Sequence, residues 1–176
     1  IRVVIGRYPD TGLAKARERA KAIIETMDGG IDPRELAEAE ERAKADAQAL
    51  YRRVAFNVLI SNLDDHLRNH GFLWLGKSGW SLSPAYDLNP VPTDLKARVL
   101  TTNIDLDEGT CSLYLLEAAA EYFGLGLAPA RAIIKEVAAV TATWRRTAKE
   151  AGARAAEITR MASAFEHDDL ERALAL

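Results

Sequence analysis

The sequence predicts a mainly α-helical domain that carries one small β-hairpin. Three observations lead there. Long stretches rich in alanine, leucine and charge are bounded by helix start and stop signals. A single pair of short apolar runs flanks Gly76-Lys77-Ser78-Gly79, which reads as a hairpin turn. The length of 176 residues, with 48% apolar and 28% charged, fits one soluble folded domain able to bury a core without staples.

The elements follow in order. Val3-Val4-Ile5 reads as a strand, closed by Gly6 and by the turn signals Pro9-Asp10-Thr11-Gly12. Leu13 to Met27 is helical by composition and stops at Asp28-Gly29-Gly30. Asp32 suits a cap, Pro33 the first helical position, and Glu35 the carboxylate of a capping box. The helix that starts there is expected to reach about Leu63. It is alanine and charge up to Ala49, then apolar on nearly every face from Leu50 to Ile60, so it starts in solvent and ends inside the protein. Phe72 to Leu75 and Trp80-Ser81-Leu82 are the hairpin strands, and Trp74, Trp80 and Trp144 read as core or hairpin packing. Ser83-Pro84 ends the hairpin, and Pro90 and Pro92 keep the next loop extended. After a loop through Gly109, helices are expected over Ser112 to Phe123, Pro129 to Ala151 and Arg154 to Phe165, with a short tail helix.

Composition narrows the function. The lone Cys111 excludes an internal disulfide framework or a cysteine-based zinc cluster, and fits a reducing cytosol. A net charge of −3 and a pI near 5.7 argue against direct nucleic-acid binding through a broad basic face. No apolar run approaches the roughly 18 residues of a membrane span. The chain opens Ile-Arg-Val-Val-Ile without Met, which is no signal peptide and suggests a trimmed start or missing upstream sequence.

Three residues carry the candidate chemistry. Asp64 and Asn69 stand five apart in one loop after the apolar half-helix, and Asp87 follows Asn69 by eighteen residues, across a hairpin that returns the chain. Phosphoryl transfer needs Mg²⁺ held by oxygen ligands and an acceptor hydroxyl aimed in line. An Asp and an Asn amide oxygen suit the ion, and a second Asp can take the hydroxyl proton.

Phe56 to Leu73, with its Ser61-Asn62-Leu63-Asp64-Asp65-His66-Leu67-Arg68-Asn69-His70-Gly71, resembles the catalytic segment of HipA-type serine/threonine kinases. Ser83-Pro84-Ala85-Tyr86-Asp87-Leu88-Asn89-Pro90 resembles the segment those kinases use in place of Asp-Phe-Gly. The likeness continues through Leu100-Thr101-Thr102, Ala120 to Leu125 and Arg160 to Phe165. It implies a protein-kinase-like C-terminal helical lobe over 50–176, with the hairpin beside the catalytic loop. By that resemblance Asp64 is catalytic, Asn69 and Asp87 hold Mg²⁺, ATP is the phosphoryl donor, His66 supports the loop and Arg68 contacts phosphate or substrate. It also implies a cytoplasmic bacterial toxin acting on a protein substrate and paired with a small DNA-binding antitoxin. Residues 1–49 contain no glycine-rich phosphate cover and no strand lysine, so the ATP-binding N-terminal lobe is expected to be missing.

Each residue also has a plainer reading. Asp64 and Asp65 suit helix ends, Asn69 and Asp87 suit turns, and His66 and His70 suit loop histidines held by backbone. His167, Arg52 and Arg53 read as surface residues. Two other functions compete: an inert helical module that binds a partner, and a phosphohydrolase using Asp64, Asp65, His66 and His70 around one transition metal.

Overall fold

A computed structural model of the chain describes residues 3–7, 9–76 and 79–176. In chain order these form α1 (Leu13–Asp28), α2 (Pro33–Leu59), β1 (Phe72–Trp74), β2 (Trp80–Leu82), α3 (Leu113–Ala118), α4 (Leu127–Thr141), α5 (Trp144–Glu150), α6 (Ala155–Phe165) and α7 (Asp168–Ala175). The fold is mainly α, with β1 and β2 paired as a two-stranded antiparallel hairpin. The chain divides into two compact units, one of residues 1–43 and 74–81, the other of residues 44–73 and 82–176.

The first unit is thin. Leu13, Ala16, Ala20, Ile23 and Met27 recur every three or four residues along α1, yet none is fully buried. The helix ends as its glycines require. Gly30 takes φ 78°, its N–H reaches the Met27 carbonyl, and the Ile31 N–H reaches that of Thr26, a left-handed stop. Asp32 then caps α2 by accepting from the Arg34 N–H at 2.9 Å. The Arg34 side chain also bonds this carboxylate and holds its pKa down to about 2. The expected strand at Val3-Val4-Ile5 does not form, since no second segment pairs with it among the described residues; Arg19 Nη1 donates instead to the Ile5 carbonyl at 3.0 Å. At the hairpin tip the Trp74 and Trp80 rings sit 5.2 Å apart, both exposed, so these rings pack on one another rather than in a core. Lys77 and Ser78, the centre of the expected turn, lie outside the described residues.

The second unit holds the core. Tyr51, Ala55, Val58 and Leu59 from α2 meet Leu113 and Leu116 of α3, Ile134 and Ala138 of α4, and Leu170 and Ala173 of α7. The apolar half of α2 is buried as its sequence demands. Its end differs from expectation: the helix stops at Leu59, four residues before Leu63. Ser61 adopts φ 52°, with the Ser61 N–H bonding the Val58 carbonyl and the Asn62 N–H that of Asn57. These are the two bonds of a Schellman stop, here built on serine rather than glycine. The helix expected over Pro129 to Ala151 is two helices. The hydroxyls of Thr141 and Thr143 bond the Val137 and Val140 carbonyls, and the chain turns so that Trp144 stacks on Phe165 at 4.4 Å. After α3, capped by Ser112, the chain tightens to a 3-10 turn over Ala119–Phe123 and stops at Gly124 with φ 67°.

Candidate active site

The loop after α2 is pinned by its backbone. Fully buried Leu63 anchors it, and the Leu63 carbonyl accepts from both the Thr101 N–H at 3.2 Å and its hydroxyl at 2.9 Å. One residue further, the Asp65 carbonyl accepts from the Thr102 N–H at 3.1 Å. Asp64 lies between these two anchors with its side chain exposed.

A single 3-10 turn, Leu67–Asn69, then brings the chain back. Asn69 is buried, and its Nδ2 donates to the Asp64 carbonyl at 3.2 Å. That bond engages the amide nitrogen and leaves the oxygen as the end able to meet a cation. The next pair repeats the spacing, with His70 Nε2 2.8 Å from Asp65 Oδ1. The contact is short, although Asp65 Oδ1 gains no aligned hydrogen bond from it. Two rungs therefore close one loop, Asp64 to Asn69 and Asp65 to His70. Asp65 is neither a helix cap nor exposed; it is buried at 5% exposure.

The Asp87 segment runs back along this loop. The Ser83 N–H donates to the Gly71 carbonyl at 2.9 Å, the Tyr86 hydroxyl to the Arg68 carbonyl at 2.6 Å, and the Val91 N–H to the Ser61 carbonyl at 3.2 Å. Gly71 admits this approach, because a Cβ there would lie 3.1 Å from Ser83 Oγ and 3.2 Å from the Tyr86 hydroxyl. Asp87 itself takes φ 57°, is exposed, and accepts from Asn89 Nδ2 at 2.7 Å through Oδ1. Asp87 and Ser61 are the two non-glycine residues at positive φ among those described. Left-handed backbone at such residues stores strain, and strain of this kind gathers at functional sites.

His66 is half-buried and Arg68 is exposed; neither side chain bonds Asp64 or Asp87 among the described residues. The oxygen donors of Asn69 and Asp87 suit a hard cation that shares its shell with phosphates and water, and the exposed Asp64 carboxylate suits a proton acceptor. Among the described residues no three of His, Cys, Asp and Glu gather around one point, so the transition-metal arrangement of Asp64, Asp65, His66 and His70 is not built.

Behind the loop, side chains occupy the carbonyls that end α2. Arg98 Nη2 donates to the Val58 carbonyl at 2.9 Å, and Arg98 Nη1 pairs with Asp169 at 2.7 Å. His167 Nε2 lies 3.1 Å from the Leu59 carbonyl, so it carries the proton there. His167 is thus half-buried rather than a surface residue, and burial, with Arg98 beside it, pushes its pKa down. Burial likewise pushes the Cys111 thiol up to about 11. Arg53 is also buried, at 8% exposure, against its surface reading. His70 follows Asp65 at the spacing of Asn69 after Asp64, a regularity readable in the sequence, whereas nothing local to Arg53 marks it as buried.

A family model described as the HipA-like C-terminal domain matches residues 13–144, about three quarters of the chain. The match contains Asp64, Asn69 and Asp87, and it begins well before Leu50, where the sequence likeness starts. No curated protein and no solved structure matches the chain. With a loop closed by Asp64 and Asn69, the Asp87 segment laid along it and this match spanning both, the chain belongs to the family of HipA-like C-terminal domains.

Proposed function

We propose that this chain is the acceptor-orienting and metal-binding lobe of a serine/threonine protein kinase. The observation that supports it best is the antiparallel course of residues 83–91 along residues 61–71, which brings the Asp87 segment back to the loop of Asp64 and Asn69. In this reading the Asp64 carboxylate accepts the hydrogen bond of a serine or threonine hydroxyl and takes its proton as that oxygen bonds the γ-phosphorus of ATP and ADP leaves. Asn69 Oδ1 and the Asp87 carboxylate would hold Mg²⁺, which when bound neutralises phosphate charge. The 3-10 turn and the Asp65–His70 contact keep Asn69 facing Asp64, while Arg68 offers an exposed cation to phosphate or substrate.

The glycine-rich cover and strand lysine come, in this proposal, from polypeptide outside the 176 residues. The protein acts in the cytoplasm as the toxin of a toxin–antitoxin pair, on a protein substrate, with a small DNA-binding antitoxin as partner. No helix among the described residues is long and apolar enough to cross a membrane. The test is radiolabelled ATP with Mg²⁺ and the full-length gene product. Label is expected on protein, and Asp64→Asn or Asp87→Asn is expected to remove it at least a hundredfold, as loss of a general base or metal ligand does. Undiminished labelling in either variant would overturn the assigned roles.

A further inference from the structure

We propose that Asp46 and Arg53 are positioning residues for Asp87, one face of α2 gripping the backbone from which the Asp87 segment departs. The proposal rests on the kinase-lobe reading and names what places its metal-binding carboxylate. Asp46 and Arg53 stand seven residues apart, two turns along α2, and so project from the same face. Asp46 Oδ2 accepts from the Leu82 N–H at 2.9 Å, and Arg53 Nη2 donates to the Ser83 carbonyl at 2.6 Å.

Ser83 is therefore held at both of its backbone groups by separate elements, its N–H by Gly71 and its carbonyl by Arg53. Pro84 follows, with a fixed φ and no N–H. An orientation set at Ser83 passes through that stiff link to Tyr86, whose hydroxyl meets the Arg68 carbonyl, and then to Asp87.

The energetics of Arg53 point the same way. It is nine-tenths buried, makes no ion pair among the described residues, and leaves Nη1 without a partner. Its neighbour Arg52 shows the ordinary alternative, exposed and paired with Glu136 at 2.9 Å. A buried cation that makes no direct ion pair adds little to stability, and an apolar residue of similar volume commonly matches or exceeds it. Stability does not explain this residue. Its bond to the Ser83 carbonyl does.

The experiment uses the whole chain under conditions where every variant is folded, with two readouts. Amide hydrogen exchange follows residues 85–89, and electron paramagnetic resonance follows binding of Mn²⁺ as the probe ion. Arg53→Met and Asp46→Ala are expected to speed exchange over 85–89 and to weaken Mn²⁺ roughly tenfold, the usual effect of losing an outer-shell support. The melting temperature of Arg53→Met should stay level or rise, which a merely structural arginine would not allow. Asp46→Asn keeps an acceptor for the Leu82 N–H and should restore both readouts, and Arg52→Met should change neither. Exchange and Mn²⁺ affinity at wild-type values in both Arg53→Met and Asp46→Ala would overturn the clamp. If Asp87→Asn leaves Mn²⁺ binding intact, the metal-site reading fails instead, and the exchange data still decide whether the clamp exists.

Discussion

Ser61, just before the candidate loop, and Asp87, within the candidate site, hold left-handed backbone at φ 52° and 57°. For an L-residue other than glycine this costs about 1–2 kcal/mol. Ser61 is fully buried and its Oγ has no partner, so its side chain offsets none of that cost by bonding. Ser61→Gly is expected to raise unfolding free energy by about 0.5–1 kcal/mol, after allowing for the extra freedom of glycine in the unfolded chain. Denaturant midpoints check this, and a midpoint that falls would show the serine side chain is needed. His167 makes a second case. Its pKa in the folded protein lies below the ordinary histidine value because burial, then Arg98, opposes its charge, only partly countered by Asp169. The neutral form is the one that folding favours. Its contribution is therefore whole above about pH 6.5 and is lost as pH falls toward the folded value. Midpoints at about pH 7.5 and pH 5.5 should differ more in the wild type than in His167→Gln, which keeps a donor for the Leu59 carbonyl without titrating. Equal differences would place the acid sensitivity elsewhere. Asp64, Asn69 and Asp87 were legible in the sequence as types at fixed spacings, whereas the burial of Arg53, Asp65 and His167 was not. Burial is decided by what packs against a residue from distant segments.

At the scale of elements, local signals located most boundaries. Asp32-Pro33 opened α2, and Gly30, Gly124 and Gly152 closed the elements before them. The signals failed where an ordinary residue did glycine's work at Ser61, and where threonine hydroxyls and the Trp144–Phe165 stack divided α4 from α5. Neither has a marker readable within a few residues. The helices also differ in what they contribute. Ile134 on α4 is fully buried in the core, while Ile24 on α1 is 56% exposed. Ile134→Ala is expected to cost about 2–5 kcal/mol, transfer plus cavity. Ile24→Ala should stay within about 0.5 kcal/mol, as exposed substitutions do. Comparable losses in urea unfolding would mean that α1 is buried in solution.

Across the whole molecule the two units differ in how much apolar surface each encloses. The unit of residues 44–73 and 82–176 contains the contiguous core, and α1 in the other contains no buried residue. Amides of α1 are expected to exchange by local opening, many times faster than those of the buried turns of α4 and α7, which should exchange only on global unfolding. Equal protection across all three helices would contradict that difference. The sequence by itself determined the helical class, the lone hairpin and the order and spacing of Asp64, Asn69 and Asp87, because helix caps, turns and periodicity act over a few residues. Only the tertiary structure decided that 83–91 lies along 61–71, that α2 stops at Leu59, and which charged side chains go inside. Those outcomes are hydrogen bonds and contacts between segments far apart in the chain, and no local preference encodes them.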